Sequence, residues 1–104
     1  MEEIKTYEEL MSRINSEKHL LIFLSTMECN VCYADLQSTG ELAQRLAFPA
    51  ISVNVADVPE AAGQLSVFAG PTILLYYKNR EYHRQSRFID FRVLEGRMKE
   101  LLAE

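Results

Sequence analysis

The stretch that decides the fold consists of two neighbouring segments, Leu20-Leu21-Ile22-Phe23-Leu24 and Cys29-Asn30-Val31-Cys32. Five consecutive apolar residues between polar neighbours are typical of a strand that is buried on both faces. The second segment is a C-x-x-C pair, and it contains the only cysteines of the chain. We therefore expect a buried strand that leads directly into a pair of thiols.

A helical pattern follows the cysteines. Apolar or small residues recur there at steps of three and four, at Leu36, Thr39, Ala43 and Leu46. The pattern predicts a helix from Cys29 to about Ala47, with Pro49 beyond its end. The pair would then lie in the first helical turn, where unpaired backbone N–H groups and the helix dipole favour the thiolate.

The cysteine pair has three chemical interpretations. A structural disulfide across two intervening residues closes a very short loop, for which the chain-entropy estimate is only about 2 kcal/mol. A structural zinc site needs further ligands, and His19 and His83 lack ligand spacing, so metal binding would need a second chain. In an intracellular chain a C-x-x-C pair is more often catalytic. The sequence therefore favours redox chemistry.

Length and composition restrict the domain organisation and the compartment. A chain of 104 residues with 48% hydrophobic content predicts a single domain over residues 1–104. Its first residues are charged, and no apolar stretch approaches the length of a signal segment or a membrane span. The net charge of -4 argues against a surface for nucleic acid or anionic lipid. We therefore expect a cytoplasmic protein without nucleic-acid or membrane partners.

The rest of the chain alternates helical and strand patterns. Thr6 and Glu9 have the spacing of a capping box at the start of the first helix, and Asp90 is a capping residue for the last. Strands joined by helices lie parallel and strands joined by a short turn lie antiparallel, so we expect an α/β protein with a mixed sheet of four to five strands and helices on both faces. The strand order stays open. The predicted strands are 3–5, 20–25, 50–55, 72–77 and 81–87, and the other predicted helices are about 6–15, 59–65 and 91–102.

The chain resembles the thioredoxin family over nearly all of its length, including the separation between the C-x-x-C pair and Gly70-Pro71-Thr72. On the residues alone, Pro71 would be an ordinary trans proline, because only about 5 to 6% of X–Pro bonds are cis. The resemblance implies instead a cis-proline packed beside the cysteines. It also implies that the Gly70 backbone pairs with an extended substrate segment, so Gly70, Pro71 and Thr72 are the expected substrate-binding residues.

The function that this resemblance implies is a thioredoxin-like protein-disulfide reductase. Cys29, at the exposed start of the helix, would attack a substrate disulfide, and the inward-facing Cys32 would then attack Cys29 and release the reduced substrate. The redox-active disulfide itself replaces a bound cofactor, and the electrons would come from an NADPH-dependent enzyme like thioredoxin reductase. We expect a monomer that acts on disulfide-containing protein substrates.

Departures from the family pattern keep two other functions open. The buried acid that family members often carry falls at Phe23, and its lysine partner falls at about Ser52. The usual proton relay to the second cysteine is therefore missing. One alternative is a redox-poor binding module with the thioredoxin fold. The other is a metal-bridged dimer that uses one cysteine pair from each subunit.

Glu28 stands where the family usually has a tryptophan, directly before Cys29. A carboxylate about 6 Å from a thiolate would disfavour it by roughly 0.7 kcal/mol in water, or about 3 at an effective dielectric of 20. The helix terminus favours the thiolate by about 0.3 to 1 kcal/mol, and by up to about 2 when partly buried, so that the two effects nearly cancel. We therefore assign Glu28 a pKa-modulating role and expect a reductant, because Cys29 would be less acidic than in a typical thioredoxin.

Basic residues are concentrated late in the chain, where seven of the eleven fall between Lys78 and Lys99. Such a cluster can bind an acidic partner, but interspersed acids are more typical of a solvated strand edge and helix face. We expect His83 to be exposed on this edge strand, away from Cys29.

Overall fold

The computed structural model describes residues 1–26 and 29–104, which form five strands and four helices. None of the helices in these two ranges is long and apolar enough to cross a bilayer. The predicted order of strands and helices is confirmed. In chain order the elements are β1 (Glu2–Ile4), α1 (Tyr7–Ser16), β2 (His19–Ser25), α2 (Cys32–Arg45), β3 (Ala50–Asn54), α3 (Pro59–Gln64), β4 (Thr72–Tyr77), β5 (Arg80–Ser86) and α4 (Phe91–Leu102).

The strands form one mixed sheet in the order β1-β3-β2-β4-β5. The central strand β2 pairs parallel with β3 and antiparallel with β4. At the edges, β1 lies parallel to β3 and β5 lies antiparallel to β4. The expected rule is therefore confirmed: the helical connection between β2 and β3 gives a parallel pair, and the short connection between β4 and β5 gives a hairpin.

Strand β2 separates two layers of packed side chains. Leu20, Ile22 and Leu24 belong to a core formed with α1 and α3, which we call the α1/α3 core. Leu21 and Phe23 belong to a second core formed with α2 and α4, the α2/α4 core. All five side chains are buried. The prediction that this strand is buried on both faces, with helices covering both, is confirmed.

The helix starts follow the predicted caps. Thr6 Oγ1 accepts a hydrogen bond of 3.2 Å from the backbone N–H of Glu9. In a standard capping box the Glu9 side chain would accept from the backbone N–H of the N-cap residue. Here Glu9 Oε1 instead accepts a hydrogen bond of 3.4 Å from the backbone N–H of Lys5, one residue earlier. Asp90 Oδ1 accepts two backbone N–H bonds of 3.1 Å in the first turn of α4. Both cap predictions are confirmed.

Helix α2 begins later than the sequence predicted, at Cys32 and not at Cys29. Val31 occupies the N-cap position, and its carbonyl accepts a hydrogen bond of 3.1 Å from the N–H of Asp35. Cys29 lies ahead of this turn. The expectation that both cysteines belong to the first helical turn is therefore wrong for Cys29 and right for Cys32.

The β4–β5 hairpin turns one residue earlier than predicted, at Lys78 and Asn79, so β5 begins at Arg80. Both turn residues have positive φ, 49° and 67°. Two-residue hairpin turns of this kind match the right-handed twist of the flanking strands, and asparagine adopts the conformation more readily than most residues. Because no glycine marks these positions, the sequence predicted the turn at Asn79 and Arg80, one residue too late.

Candidate functional site around the cysteine pair

Cys29 and Cys32 are joined by a disulfide, with 5.4 Å between their Cα atoms. The N–H of Cys32 also donates to the Cys29 carbonyl at 3.5 Å, which closes a turn in front of α2. The two residues differ in exposure. Cys32 is only 7% exposed and belongs to the α2/α4 core, whereas Cys29 is partly buried and packs against that core from outside. Cys29 is therefore the more accessible of the two.

The start of α2 supplies the electrostatic surroundings of the pair. Val31 has an apolar side chain at the N-cap position and cannot accept a hydrogen bond, so it leaves the first-turn N–H groups to other acceptors. These groups and the helix dipole favour negative charge near Cys32. Asp35 is an acid in this same turn, and its negative charge disfavours a further negative charge near Cys32. Partial burial raises the pKa of the Asp35 carboxyl above its usual range.

Gly70 lies against the end of β2, directly before the cysteine segment. The register that pairs Leu24 with Thr72 places Gly70 opposite Thr26 when it is continued by two residues. A Cβ atom at Gly70 would overlap the Thr26 side chain and would lie 3.1 Å from its backbone nitrogen. Only glycine permits this approach without a shift. The sheet thus brings Gly70 next to the segment that carries Cys29.

Pro71 and Thr72 follow Gly70 in the turn that leads into β4. The Gly70–Pro71 peptide bond is cis, and the Pro71 carbonyl accepts a hydrogen bond of 2.8 Å from the N–H of Arg87. The Thr72 hydroxyl is buried, donates to the Ala69 carbonyl at 2.6 Å and lies 3.1 Å from Ser86 Oγ. The structure thus uses the Thr72 side chain inside the protein, where it holds the turn.

Large apolar side chains are exposed in the chain segments beside Cys32 and beside this turn. Two of them flank Cys32 in the chain, one precedes Gly70 by two residues, and one follows Arg87, whose N–H binds the Pro71 carbonyl. We call them the apolar rim. Its members are Val31 (52% exposed), Tyr33 (72%), Phe68 (86%) and Phe88 (91%).

Sequence analysis missed the two phenylalanines of the apolar rim. The available signal was their position in segments without periodicity, beside Gly70-Pro71 and just after the edge strand, where no core position is expected for a large apolar side chain. Their exposure is unusual, since a buried phenylalanine gains about 1.5 to 3 kcal/mol relative to an exposed one.

A cleft of about 330 Å³ opens beside Cys32. Phe23 and Ser52, which the sequence marked as departures from the family pattern, both line it. The sheet also brings Glu3 of β1 to the same cleft, which the sequence did not predict. We call it the Cys32 cleft. The other lining residues are Met1, Ser25, Tyr33, Leu36, Val53 and Asn54.

Glu28, the predicted pKa-modulating residue, lies outside the described residues. Its effect on Cys29 therefore stays a prediction from its place in the chain.

Three of the seven residues of the late basic cluster, Arg84, Arg97 and Lys99, form ion pairs within the part of the chain that the structure describes. Arg84 binds Glu81 at 2.9 Å, and Arg97 binds Glu100 at 2.7 Å. This arrangement agrees with the solvated edge and helix face that the sequence favoured. His83 lies on β5 but is partly buried, and this burial, followed by the nearby Arg97, lowers the pKa of its imidazole. The expectation of an exposed His83 is therefore wrong.

Solved structures share this architecture. Plasmodium falciparum thioredoxin matches with a TM-score of 0.85 at 16% identity, over 95% of this chain and 98% of that chain. Fasciola hepatica thioredoxin matches with a TM-score of 0.83 at 22% identity, over 95% of this chain and 98% of that chain. The protein thus has the thioredoxin fold, with a C-x-x-C disulfide at the end of its central strand.

Sequence comparison shows the family. No protein-family model matches the chain. The thioredoxin-like protein YdfQ of Bacillus subtilis (strain 168) is 36% identical over 89 residues, which cover 83% of this chain and 78% of that protein. The chain belongs to the family of thioredoxin-like proteins.

Proposed function

We propose that the protein is a thiol–disulfide oxidoreductase that reduces disulfides of protein substrates through Cys29 and Cys32. The observation that carries this proposal is the unequal burial of two bonded cysteines. Cys29 is accessible from solvent, whereas Cys32 is 7% exposed beneath it. In this proposal an incoming disulfide meets Cys29 first, and Cys32 attacks Cys29 afterwards.

The reaction proceeds in two exchanges. The Cys29 thiolate attacks one substrate sulfur, a mixed disulfide forms, and the first substrate thiolate leaves and takes a proton. Cys32 then loses its proton and attacks the Cys29 sulfur, so the Cys29–Cys32 disulfide forms and the second substrate thiolate leaves and takes a proton. The substrate gains two electrons from the two cysteine sulfurs, and its two leaving thiolates take protons from solvent, to which the cysteines have released theirs.

The substrate is held beside Cys29 by the turn at Gly70. In this proposal the Gly70 backbone pairs with an extended substrate segment, and Pro71 and Thr72 hold the turn in place. The apolar rim supports a protein as the substrate, because exposed apolar side chains around a reactive group are typical of an interaction surface. Phe68 and Phe88 then contact apolar side chains of the substrate protein.

An external reductant must return two electrons after each turnover, because the cysteine pair stores only those two. We assign this role to an NADPH-dependent enzyme like thioredoxin reductase.

In this proposal the protein acts as a cytoplasmic monomer, a single domain over residues 1–104. Glu28 keeps Cys29 less acidic than in a typical thioredoxin, which favours reduction of the substrate over its oxidation.

Trapping of the mixed disulfide tests the proposal. The reduced Cys32→Ser variant is mixed with a disulfide-containing protein such as insulin, and the adducts are separated under denaturing, non-reducing conditions. We expect a stable adduct with Cys32→Ser and none with Cys29→Ser, because only the former keeps the accessible nucleophile. The wild-type protein should release reduced insulin without a lasting adduct. Equal adducts with both variants would contradict the assigned roles.

A second candidate function, the redox-poor binding module, is supported by Phe23 and Ser52, which stand in the Cys32 cleft where the family's usual proton relay is missing. Failure of the reduced wild-type protein to reduce insulin, with binding to apolar protein segments retained, would select this function. Stoichiometric metal in the reduced protein would instead point to the metal-bridged dimer.

A further inference from the structure

The second exchange requires a proton to leave a buried group. Cys32 belongs to the α2/α4 core, where Leu42 and Ala43 of its own helix and Met98 of α4 are also buried. Such surroundings disfavour the charged thiolate, which is the form that attacks. The rate of the second exchange therefore depends on where the Cys32 proton can go.

The Cys32 cleft is an exit for this proton. One part of its lining is apolar, with Phe23 and Leu36, and another is polar, with Ser25, Ser52 and Asn54. Its volume of about 330 Å³ accommodates several water molecules. Hydroxyl and amide groups along such a cleft can hold water in hydrogen-bonded chains. The buried thiol thus borders a polar space.

Glu3 brings a carboxylate to this space. The register pairs Glu3 with Ser52 on β3, and Ser52 with Phe23 on β2, so these residues form one row across the sheet. Because side chains alternate along a strand, Glu3 lies on the α2 side of the sheet, and its neighbour Ile4 enters the α1/α3 core. Among the described residues that line the cleft, Glu3 has the only carboxylate.

Glu3 lies near other charged and titratable groups. Lys5 Nζ lies 3.2 Å from Glu3 Oε1 and 3.3 Å from Asp57 Oδ2. On the α2 side, Tyr33 borders the cleft with a titratable phenol, and Asp35 is the acid in the first turn of that helix. The neighbouring strand β3 contributes the uncharged side chains of Ser52 and Asn54.

We propose that Glu3 accepts the proton of Cys32, through water in the Cys32 cleft, when Cys32 attacks the mixed disulfide. This inference rests on the proposed function. The proton moves from the Cys32 sulfur to the Glu3 carboxylate, and the sulfur's electron pair forms the bond to Cys29. The bond between Cys29 and the substrate breaks, and its electron pair leaves on the substrate sulfur. Glu3 afterwards returns the proton to solvent, from which the leaving thiolate is protonated.

A single-turnover experiment separates the two exchanges. Reduced protein is mixed with an equimolar amount of dithiobis(nitrobenzoate), whose released thiolate is coloured. The first release reports attack by Cys29, and the second reports attack by Cys32 on the mixed disulfide. Both rates are recorded against pH for the wild-type protein, Glu3→Gln and Glu3→Asp. The matched control is Glu2→Gln on the same strand. It also removes one negative charge and one ion pair, the pair between Glu2 and Arg13.

For Glu3→Gln we expect the second release to be slowed about tenfold at neutral pH, with its rise displaced to higher pH. A tenfold slowing is smaller than the typical effect of a positioned acid or base, which is roughly 10²–10⁴-fold. We expect the smaller effect because Glu3 is half-exposed and acts through water. Glu3→Asp should recover part of the rate. The first release should stay unchanged, and Glu2→Gln should behave like the wild-type protein in both.

The sign of the effect decides between proton transfer and a purely electrostatic role. If Glu3 acted only as a charge, Glu3→Gln would speed the second release, because loss of the carboxylate would favour the Cys32 thiolate. A faster or unchanged second release therefore overturns the inference. Absence of both releases in the wild-type protein would instead overturn the proposed function, so the two failures are distinguishable.

Discussion

Gly70 shows how a single residue can fix the geometry beside a reactive pair. Its backbone lies so close to Thr26 that a methyl group has no space, although its φ is not in the left-handed region. The requirement for glycine at this position therefore comes from packing between two chain segments and not from an unusual backbone conformation.

We predict that Gly70→Ala destabilises the protein by about 1 to 3 kcal/mol, the typical cost of inserting a methyl group into a packed site. The matched control is Gly96→Ala, at an exposed position of α4 where an added Cβ meets nothing within 4 Å. This control should stabilise the protein by about 0.8 to 1.0 kcal/mol through helix propensity. Urea unfolding measures both changes, and equal stability of Gly70→Ala and the wild-type protein would contradict the close contact.

At the scale of elements, helices α2 and α4 are linked across their surface by a small network of charges. Arg45 of α2 lies 2.8 Å from Glu95 of α4, and Lys99 lies 2.9 Å from the same carboxylate. The hydrogen bonds from Arg45 and then from Lys99 lower the pKa of Glu95 to about 2. The two helices that cover the cysteine side of the sheet thus share a pH-dependent contact.

This contact predicts a defined acid response. Because the pKa of Glu95 falls from 4.5 to about 2 on folding, its contribution to stability is fully present above pH 4.5 and is lost as the pH falls towards 2. Glu95→Gln should therefore flatten the decrease in the free energy of unfolding over this range. The change in the free energy of unfolding should be modest, because the ion pairs of Glu95 with Arg45 and Lys99 are exposed to solvent. Glu41→Gln, on the surface of α2, is the control, and equal pH profiles for both variants would contradict this role of Glu95.

The elements themselves were largely predictable from sequence, because local physics sets most of their positions. The apolar run at residues 20–24 predicted a strand buried on both faces, and the capping residues Thr6 and Asp90 predicted the starts of two helices. The start of α2 was missed because the helical period of its apolar face does not show where the first turn closes. The hairpin turn was predicted one residue too late, because Lys78 and Asn79 adopt positive φ without a glycine.

The candidate site was only partly predictable, because it is assembled across the sheet. The local C-x-x-C pattern identified Cys29 and Cys32, and the resemblance pointed to Gly70. Glu3 reaches the Cys32 cleft only through the pairing of β1 with β3, and sequence patterns did not establish the strand order. Phe68 and Phe88 belong to loops, whose exposure depends on the packing around them.

For the whole molecule we predict a reduction potential near or below about -270 mV, which is the value for a reductant like thioredoxin. Acids stand close to the pair, with Asp35 in the first turn of α2 and Glu3 in the Cys32 cleft, and the net charge is -4. Negative charge disfavours the thiolate forms of the dithiol and so favours the disulfide.

Equilibration with dithiothreitol buffers, followed by thiol trapping, measures this potential. The variant Glu3→Gln should shift it to a less negative value, because removal of a nearby negative charge stabilises the reduced form, while Glu2→Gln should leave it unchanged. A wild-type value near about -120 to -180 mV would indicate an oxidant or isomerase and would contradict the prediction.

The two cores on opposite sides of β2 divide the molecule into a reactive half and a supporting half. Cys32, Phe23, Ser52 and Glu3 all lie on the α2 side of the sheet. Helix α1 covers the other side and presents exposed positions such as Ser12 to solvent. An attachment point for a dye or a solid support is therefore best placed at Ser12, where the tethered protein keeps its cysteines turned towards the solution.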